Sequence, residues 1–160
     1  MIDTDKIILR KNPFGDTRTA PKDTDFDSFS EATDWHRNDV KNVMMRLGYL
    51  AALAGEKHDW TKKTYEDEFF KDFVDGLNGK IEFVDGTWWP KHISMERHHL
   101  NSKVPDDVNL IDVLEMVVDC TCAGLTRSGK VRPVEIDAKV LEKAVTNTVE
   151  LIKDITEVVD

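Results

Sequence analysis

Residues 34–54 read DWHRNDVKNVMMRLGYLAALA, and residues 108–125 read VNLIDVLEMVVDCTCAGL. In the first stretch Val40, Val43, Met44, Leu47, Leu50 and Ala51 recur at three- and four-residue spacing, the period of one face of a helix. Thr33 or Asp34 can cap its start, and Gly55 follows its end as a stop signal. In the second stretch Leu110, Ile111, Leu114, Val117, Val118 and Ala123 repeat the pattern behind Pro105 and the acidic pair Asp106 and Asp107. Two strong helices of this kind, with no long alternating segment between them, predict an all-α fold.

The flanking segments extend that reading. A second helix is expected over 61–77, with Tyr65, Phe69, Phe70, Phe73 and Leu77 on one side. Asn78-Gly79 and Asp85-Gly86 are turn signals, and Ile81, Phe83 and Val84 between them suit a small hairpin arm. Residues 88–100, rich in Trp and His, are expected to be helical in part. A last helix is expected over 137–158, with Val140, Leu141, Ala144, Val145, Val149, Ile152 and Ile155 as its apolar stripe. Residues 1–30 differ: they carry Pro13, Gly15, Pro21 and the acids Asp23, Asp25 and Asp27, with Ile7, Ile8 and Leu9 as a short extended piece. The expected organisation is an N-terminal arm (1–30) and a single helical bundle of about five helices (31–160). Strand is confined to short pieces near 5–10 and 80–88.

The chain has 160 residues, one domain's worth, with 33% charged residues and a net charge of −9. Such an acidic field repels a phosphate backbone and argues against general nucleic-acid binding. It leaves room for a small anionic substrate held by a metal or a local basic pocket. No apolar run is long enough for a membrane span, and no basic-then-apolar leader opens the chain, so a cytoplasmic protein is expected. A homodimer is compatible with the sequence. Cys120 and Cys122 are too close in sequence for an ordinary structural disulfide and are read as small helix residues.

The five histidines are His36, His58, His92, His98 and His99, and Asp119 sits inside an apolar helix stretch. A carboxylate there is costly unless it is paired or ligating. Helical bundles build metal sites from such side chains on facing helices. Imidazole and carboxylate donors suit Mn, Fe, Co, Ni or Zn. Other readings fit the same residues: His36 suits an exposed helix position beside Trp35, and His92 a core histidine bonded to a backbone carbonyl. His98 and His99, as neighbours, point in different directions and are not expected to share one role. Asp112 competes with Asp119 as the ligand, and Asp112 and Glu115 also suit partners behind a ligating histidine. Arg97 and the loop residues Arg127, Lys130 and Arg132 supply local positive charge for a phosphate, or complement the end of a helix. Trp60, Trp88 and Trp89 suit either stacking on a base or the core.

The order His36, then His58-Asp59, then Asp119 resembles the HD superfamily of metal-dependent phosphohydrolases, named for its adjacent His-Asp pair. The pair continues as His58-Asp59-Trp60-Thr61-Lys62, and Trp89-x-x-His92, His98-His99 and Glu115-Met116-x-x-Asp119 follow. The set is similar to small bacterial and phage-type members over about residues 34–126. The resemblance implies that His36, His58, Asp59 and Asp119 hold a first divalent transition metal. It implies a second on His92 and His98 or His99, bridged by Asp59. Lys62, three residues after Asp59, then faces the substrate phosphate, with Arg97 beside it. The implied activity is hydrolysis of a nucleotide or related small phosphorylated molecule by a metal-activated water. Two other outcomes share the ligand set: a diiron HD-type oxygenase, and a non-catalytic metal-containing binding or regulatory protein. The short interval from His36 to His58 requires the first two helical segments to be compact.

Overall fold

The computed structural model describes residues 6–160; residues 1–5, the beginning of the expected arm, lie outside the described residues. The fold is all-α. The helices are α1 (Phe26–Lys57), the one-turn α2 (Trp60–Thr64), α3 (Glu66–Leu77), α4 (Trp88–Met95), α5 (Leu110–Ser128) and α6 (Ala138–Ile155). Two four-residue strands, β1 (Ile7–Arg10) and β2 (Thr156–Val159), and two 3-10 turns, Pro13–Gly15 and Phe83–Asp85, complete the described elements. The chain divides into two compact units, residues 1–50 with 148–160 and residues 51–147.

In the first unit β1 and β2 pair in parallel, Ile7 opposite Thr156 and Arg10 opposite Val159. The pairing continues through the Lys11 N–H to the Val159 carbonyl at 3.0 Å. The last helix therefore stops at Ile155, short of the expected 158, and the β-branched run Thr156-Glu157-Val158-Val159 becomes a strand. The Thr156 hydroxyl donates to the Ile152 carbonyl at 2.7 Å, closing the final turn. The only strand among the described residues outside 7–10 is this one, and 80–88 forms none. α1 begins eight residues before Asp34, because Asp25 accepts the Ser28 N–H at 2.8 Å and serves as its cap. The boundary expected at residue 30 thus falls inside a helix.

The second unit is organised around Leu100, Val108, Met116 and Ala144, with Val104, Val113, Val134, Ile136 and Val140 against them. α1 runs through Gly55 to Lys57, a tolerable cost of about 1 kcal/mol for an interior glycine. It stops where Asp59 takes a left-handed backbone, φ 56°. The helix expected over 61–77 is broken at Tyr65 (φ −117°, ψ 41°) into α2 and α3. In place of a hairpin, Phe83–Asp85 form a single 3-10 turn. Its Phe83 ring packs edge-on to Phe69, centroids 6.1 Å apart, and against Trp88. Asp72 on α3 is buried and accepts the Trp88 N–H at 2.8 Å, placing a carboxylate at the N-terminus of α4. Gly86 is required beside it: a Cβ would lie 2.3 Å from Asp72 Oδ2.

α5 starts at a capping box. Asn109 Oδ1 accepts the Ile111 N–H and Asp112 Oδ2 accepts the Asn109 N–H, both at 2.9 Å. It ends on Gly129 in the left-handed region, φ 69°, whose N–H reaches the Leu125 carbonyl at 3.0 Å. Arg97 grips Asp112 with two bonds, Nε to Oδ1 at 2.7 Å and Nη2 to Oδ2 at 2.9 Å, and Asp107 at 3.0 Å. These acids hold the guanidinium above its already high ordinary pKa, the Asp112 bond contributing most. Arg97→Ala strips its partner from a carboxylate that is 3% exposed. Urea unfolding should show a loss of about 3 kcal/mol. An unchanged midpoint would mean that Asp112 is satisfied by the Asn109 N–H alone.

Candidate metal centre

The sequence around residue 58 sets the site locally. α1 ends, the chain turns sharply at Asp59, and α2 begins at Trp60. The left-handed backbone at Asp59 is uncommon for a residue with a Cβ, and aspartate tolerates it better than most. α4 brings His92, the turn after α4 brings His98 and His99, and α5 brings Glu115 and Asp119 one turn apart. Two overlapping groups result: Asp59, His92, His98 and His99, and His58, His98 and Asp119. In each, the candidate ligand atoms all lie within 4.8 Å of one another.

The tautomers follow from the outer partners. Thr61 Oγ1 donates to Glu96 Oε1 at 2.7 Å, so it can only accept from His92 Nδ1, 2.6 Å away. Glu96 also accepts the Thr61 N–H at 3.0 Å. His58 Nδ1 donates to Glu115 Oε1 at 3.0 Å. His98 Nδ1 lies 2.9 Å from the same oxygen, close but out of line for a good hydrogen bond. His92 and His58 thus have the Nδ1 proton on a protein acceptor, leaving the Nε2 lone pair for the interior of the cluster, and His98 presents its Nε2 to the same interior. There the lone pairs meet carboxylates. His58 Nε2 is 3.3 Å from Asp59 Oδ2 and 3.4 Å from Asp119 Oδ1. His92 Nε2 and His98 Nε2 are 3.5 and 3.7 Å from Asp59 Oδ1. His92 Nε2 is also 2.6 Å from His99 Nε2.

Lone pairs and carboxylate oxygens at these distances repel one another unless a proton or cation lies between them. Asp59 Oδ1 and His98 Nε2 are buried with no hydrogen-bond partner. Orphaned buried lone pairs of this kind are what a bound cation satisfies. The His/Asp group can therefore hold a metal ion, and the two oxygens of Asp59 face different histidines.

Charge in the cluster is consistent with that fit. Burial, with the neighbouring His99, Lys62 and His98, holds His92 down at about 3 against the pull of Asp59. Burial with His98 and Lys62 holds His99 at about 4. Both rings are therefore neutral at physiological pH, the form that ligates. Burial alone would depress His98, but Glu115, Asp59 and Asp119 outweigh it and raise it. Burial raises Glu115, and the nearby His98 and His58 rings bring it below its ordinary value. Asp59 is likewise raised by burial but ends lower through Lys62, which hydrogen-bonds Asp59 Oδ2, and through His58 and His92.

Beside the cluster is a cavity of about 650 Å³ whose polar lining is Lys62, His92, His99, Asp119 and Arg127. A smaller one, about 280 Å³, touches His58, Glu115 and Asp119. Asp119 borders both.

Of the expected ligands, His58, Asp59, His92, His98, His99 and Asp119 come together. Both His98 and His99 belong to the cluster, because the chain leaves α4 at Glu96 and its turn lets consecutive residues face one point. His36 does not belong to it: it lies exposed on α1, in the first unit. The helix end expected at Gly55 comes at Lys57, and His36 lies some twenty residues back along the same unbroken α1. Arg97 is committed to Asp112 and Asp107 and does not line the cavity. Asp112 is thereby a cap residue. Lys130 and Arg132 are exposed on the loop after α5 and line neither cavity; Arg127 alone of the three does. Trp88 is core, Trp89 lines the cavity and Trp60 is 44% exposed. Thr61 and Glu96 carry no signal in the sequence that sets them apart from other polar residues near a helix end. No family model, curated protein or solved structure matches the chain.

Three variants separate ligands from bystanders. Asp59→Asn keeps a side chain suited to the left-handed backbone, so the protein should fold yet lose most of its metal; full occupancy by elemental analysis would place the site elsewhere. Glu115→Gln should weaken metal affinity by roughly 10- to 100-fold. His36→Ala should leave it unchanged.

Proposed function

We propose that the chain is a metal-dependent phosphohydrolase that uses one or two divalent transition ions. The reading rests on one observation: imidazole Nε2 atoms and the Asp59 and Asp119 carboxylates converge beside a cavity that also presents Lys62 and Arg127. His58 and Asp119 would hold one ion, and His92 and His99 a second. His98 and Asp59 lie between the two groups. Nitrogen and oxygen donors of this kind favour Mn, Fe, Co, Ni or Zn over Ca or Mg. When bound, such an ion supplies Lewis acidity, polarising a phosphoryl oxygen and making water a nucleophile near neutral pH.

The protein's own groups do the rest. Glu115 and the Thr61–Glu96 pair hold the ring protons on Nδ1 and keep the imidazoles facing the cluster. Lys62 is partly buried against Asp59 and reaches the cavity, where its ammonium stabilises charge developing on phosphoryl oxygens. Arg127, two turns beyond Asp119 on the same face of α5, adds a second cation on the cavity wall. These cations favour an anionic substrate and so a hydrolase over an oxygenase on the same ligands.

Lys62→Ala tests the assignment. Its ammonium cannot ligate, so metal content should persist. Turnover on a phosphate ester with manganese should fall by roughly 10² to 10³, more than the Michaelis constant rises. Full activity in the variant would remove Lys62 from the mechanism. Absence of hydrolysis by the wild-type chain across phosphate esters and anhydrides would sink the reading itself.

A further inference from the structure

The cavity beside the cluster is chemically divided. Away from Lys62, Arg127 and the cluster, its wall is Phe69, Phe73 and Leu77 from α3, Phe83 from the 3-10 turn, and Trp89 from α4. The rings form a continuous surface: Phe69 to Phe73 is 6.5 Å between centroids, Phe69 to Phe83 6.1 Å and Phe83 to Trp89 6.1 Å. Trp88, Ala123 and Gly76 complete it, the Trp88 indole N–H being buried without a partner. No Asn, Gln, Ser, Thr or Tyr lines the cavity. At about 650 Å³ it lies in the range that encloses a drug-sized molecule, far more room than a phosphate needs. Phe73 and Leu77 are 46% and 71% exposed, so a body occupying the cavity would cover apolar surface now in water.

A nucleobase placed on this wall would stack, but its ring nitrogens and exocyclic groups would find few partners. Sites that select a base or a hydroxyl do so with buried hydrogen-bonding groups, because leaving either side unpaired is costly. An apolar body meets no such cost here.

We propose that the cavity takes a phosphate monoester of an apolar alcohol, aryl or alkyl, with the phosphate at the cluster and Lys62 and the carbon body against Phe69, Phe73, Leu77, Phe83 and Trp89. The chemistry of its turnover rests on the phosphohydrolase reading, whereas its binding does not. In that turnover the water oxygen forms a new bond to phosphorus and the ester P–O bond breaks. One water proton goes to the leaving alcohol oxygen and the other stays with inorganic phosphate.

Binding is read first, on the manganese-loaded full chain by calorimetry, with phosphonates that cannot be hydrolysed. Naphthylmethylphosphonate should bind about 10- to 100-fold tighter than methylphosphonate, the gain expected from covering roughly one aromatic face. AMP should bind no more than about threefold tighter than ribose 5-phosphate, on the scale where each tenfold is 1.4 kcal/mol. In Phe73→Ser/Leu77→Ser, two exposed positions, the naphthyl advantage should shrink to about threefold or less; metal content on the same sample checks that the centre is intact. Equal affinity for the two phosphonates, binding of neither, a larger gain from adenine than from naphthyl, or an undiminished advantage in the double variant would each overturn the proposal. Naphthyl phosphate is then tested for hydrolysis. Selective binding without turnover leaves the apolar-ligand site standing and removes the phosphohydrolase reading instead.

Discussion

Everything at the candidate centre depends on the backbone of Asp59. Between the end of α1 and the start of α2 lie only two residues, and the helix is interrupted there by Asp59 at φ 56°. A left-handed non-glycine residue costs of the order of 1 kcal/mol or more, and such strain persists where the surroundings fix it. Here Lys62 on the following turn holds Oδ2, while Oδ1 faces His92 and His98. The turn converts two neighbours in sequence, His58 and Asp59, into side chains that approach one cluster. A helix continuing through 58 and 59 would send them about 100° apart.

The next layer outward makes the imidazoles usable. A histidine ligates only through a neutral nitrogen, and either of two nitrogens can carry the proton. Thr61, Glu96 and Glu115 resolve that ambiguity by taking the Nδ1 side. All three are secured elsewhere: Thr61 and Glu96 bind each other twice, and Glu115 lies on α5, whose start is fixed by Asn109, Asp112 and Arg97. Arg97 acts on the cluster only at this remove, through the helix it anchors.

An overall charge of −9 does not prevent a locally positive cavity, because the relevant field is local. Lys62 and Arg127 face the cavity, and a cation in the cluster would add to them. Several of the acids stand at helix starts or in exposed ion pairs, among them Asp75 with Lys71 and Lys80. Exposed pairs of that kind add little to stability and nothing to the site.

The sequence by itself determined the helical character, because period-3.6 apolar spacing in α1, α5 and α6 is a local property of the chain. It also determined most of the ligand types: six residues at the cluster, His58, Asp59, His92, His98, His99 and Asp119, are legible as histidines and buried-looking acids. What it could not fix was which of them meet. His36 has the right chemistry and the right order, yet its helix never breaks before Lys57. Arg97 reads as a free cation until Asp112 and Asp107 are found beside it. Thr61 and Glu96 meet across 35 positions, and β1 finds its partner at the far end of the chain. The tertiary structure decided these points, because a side chain's task depends on which groups the fold brings within about 3 Å, the range of a hydrogen bond, and local periodicity carries no information about that distance.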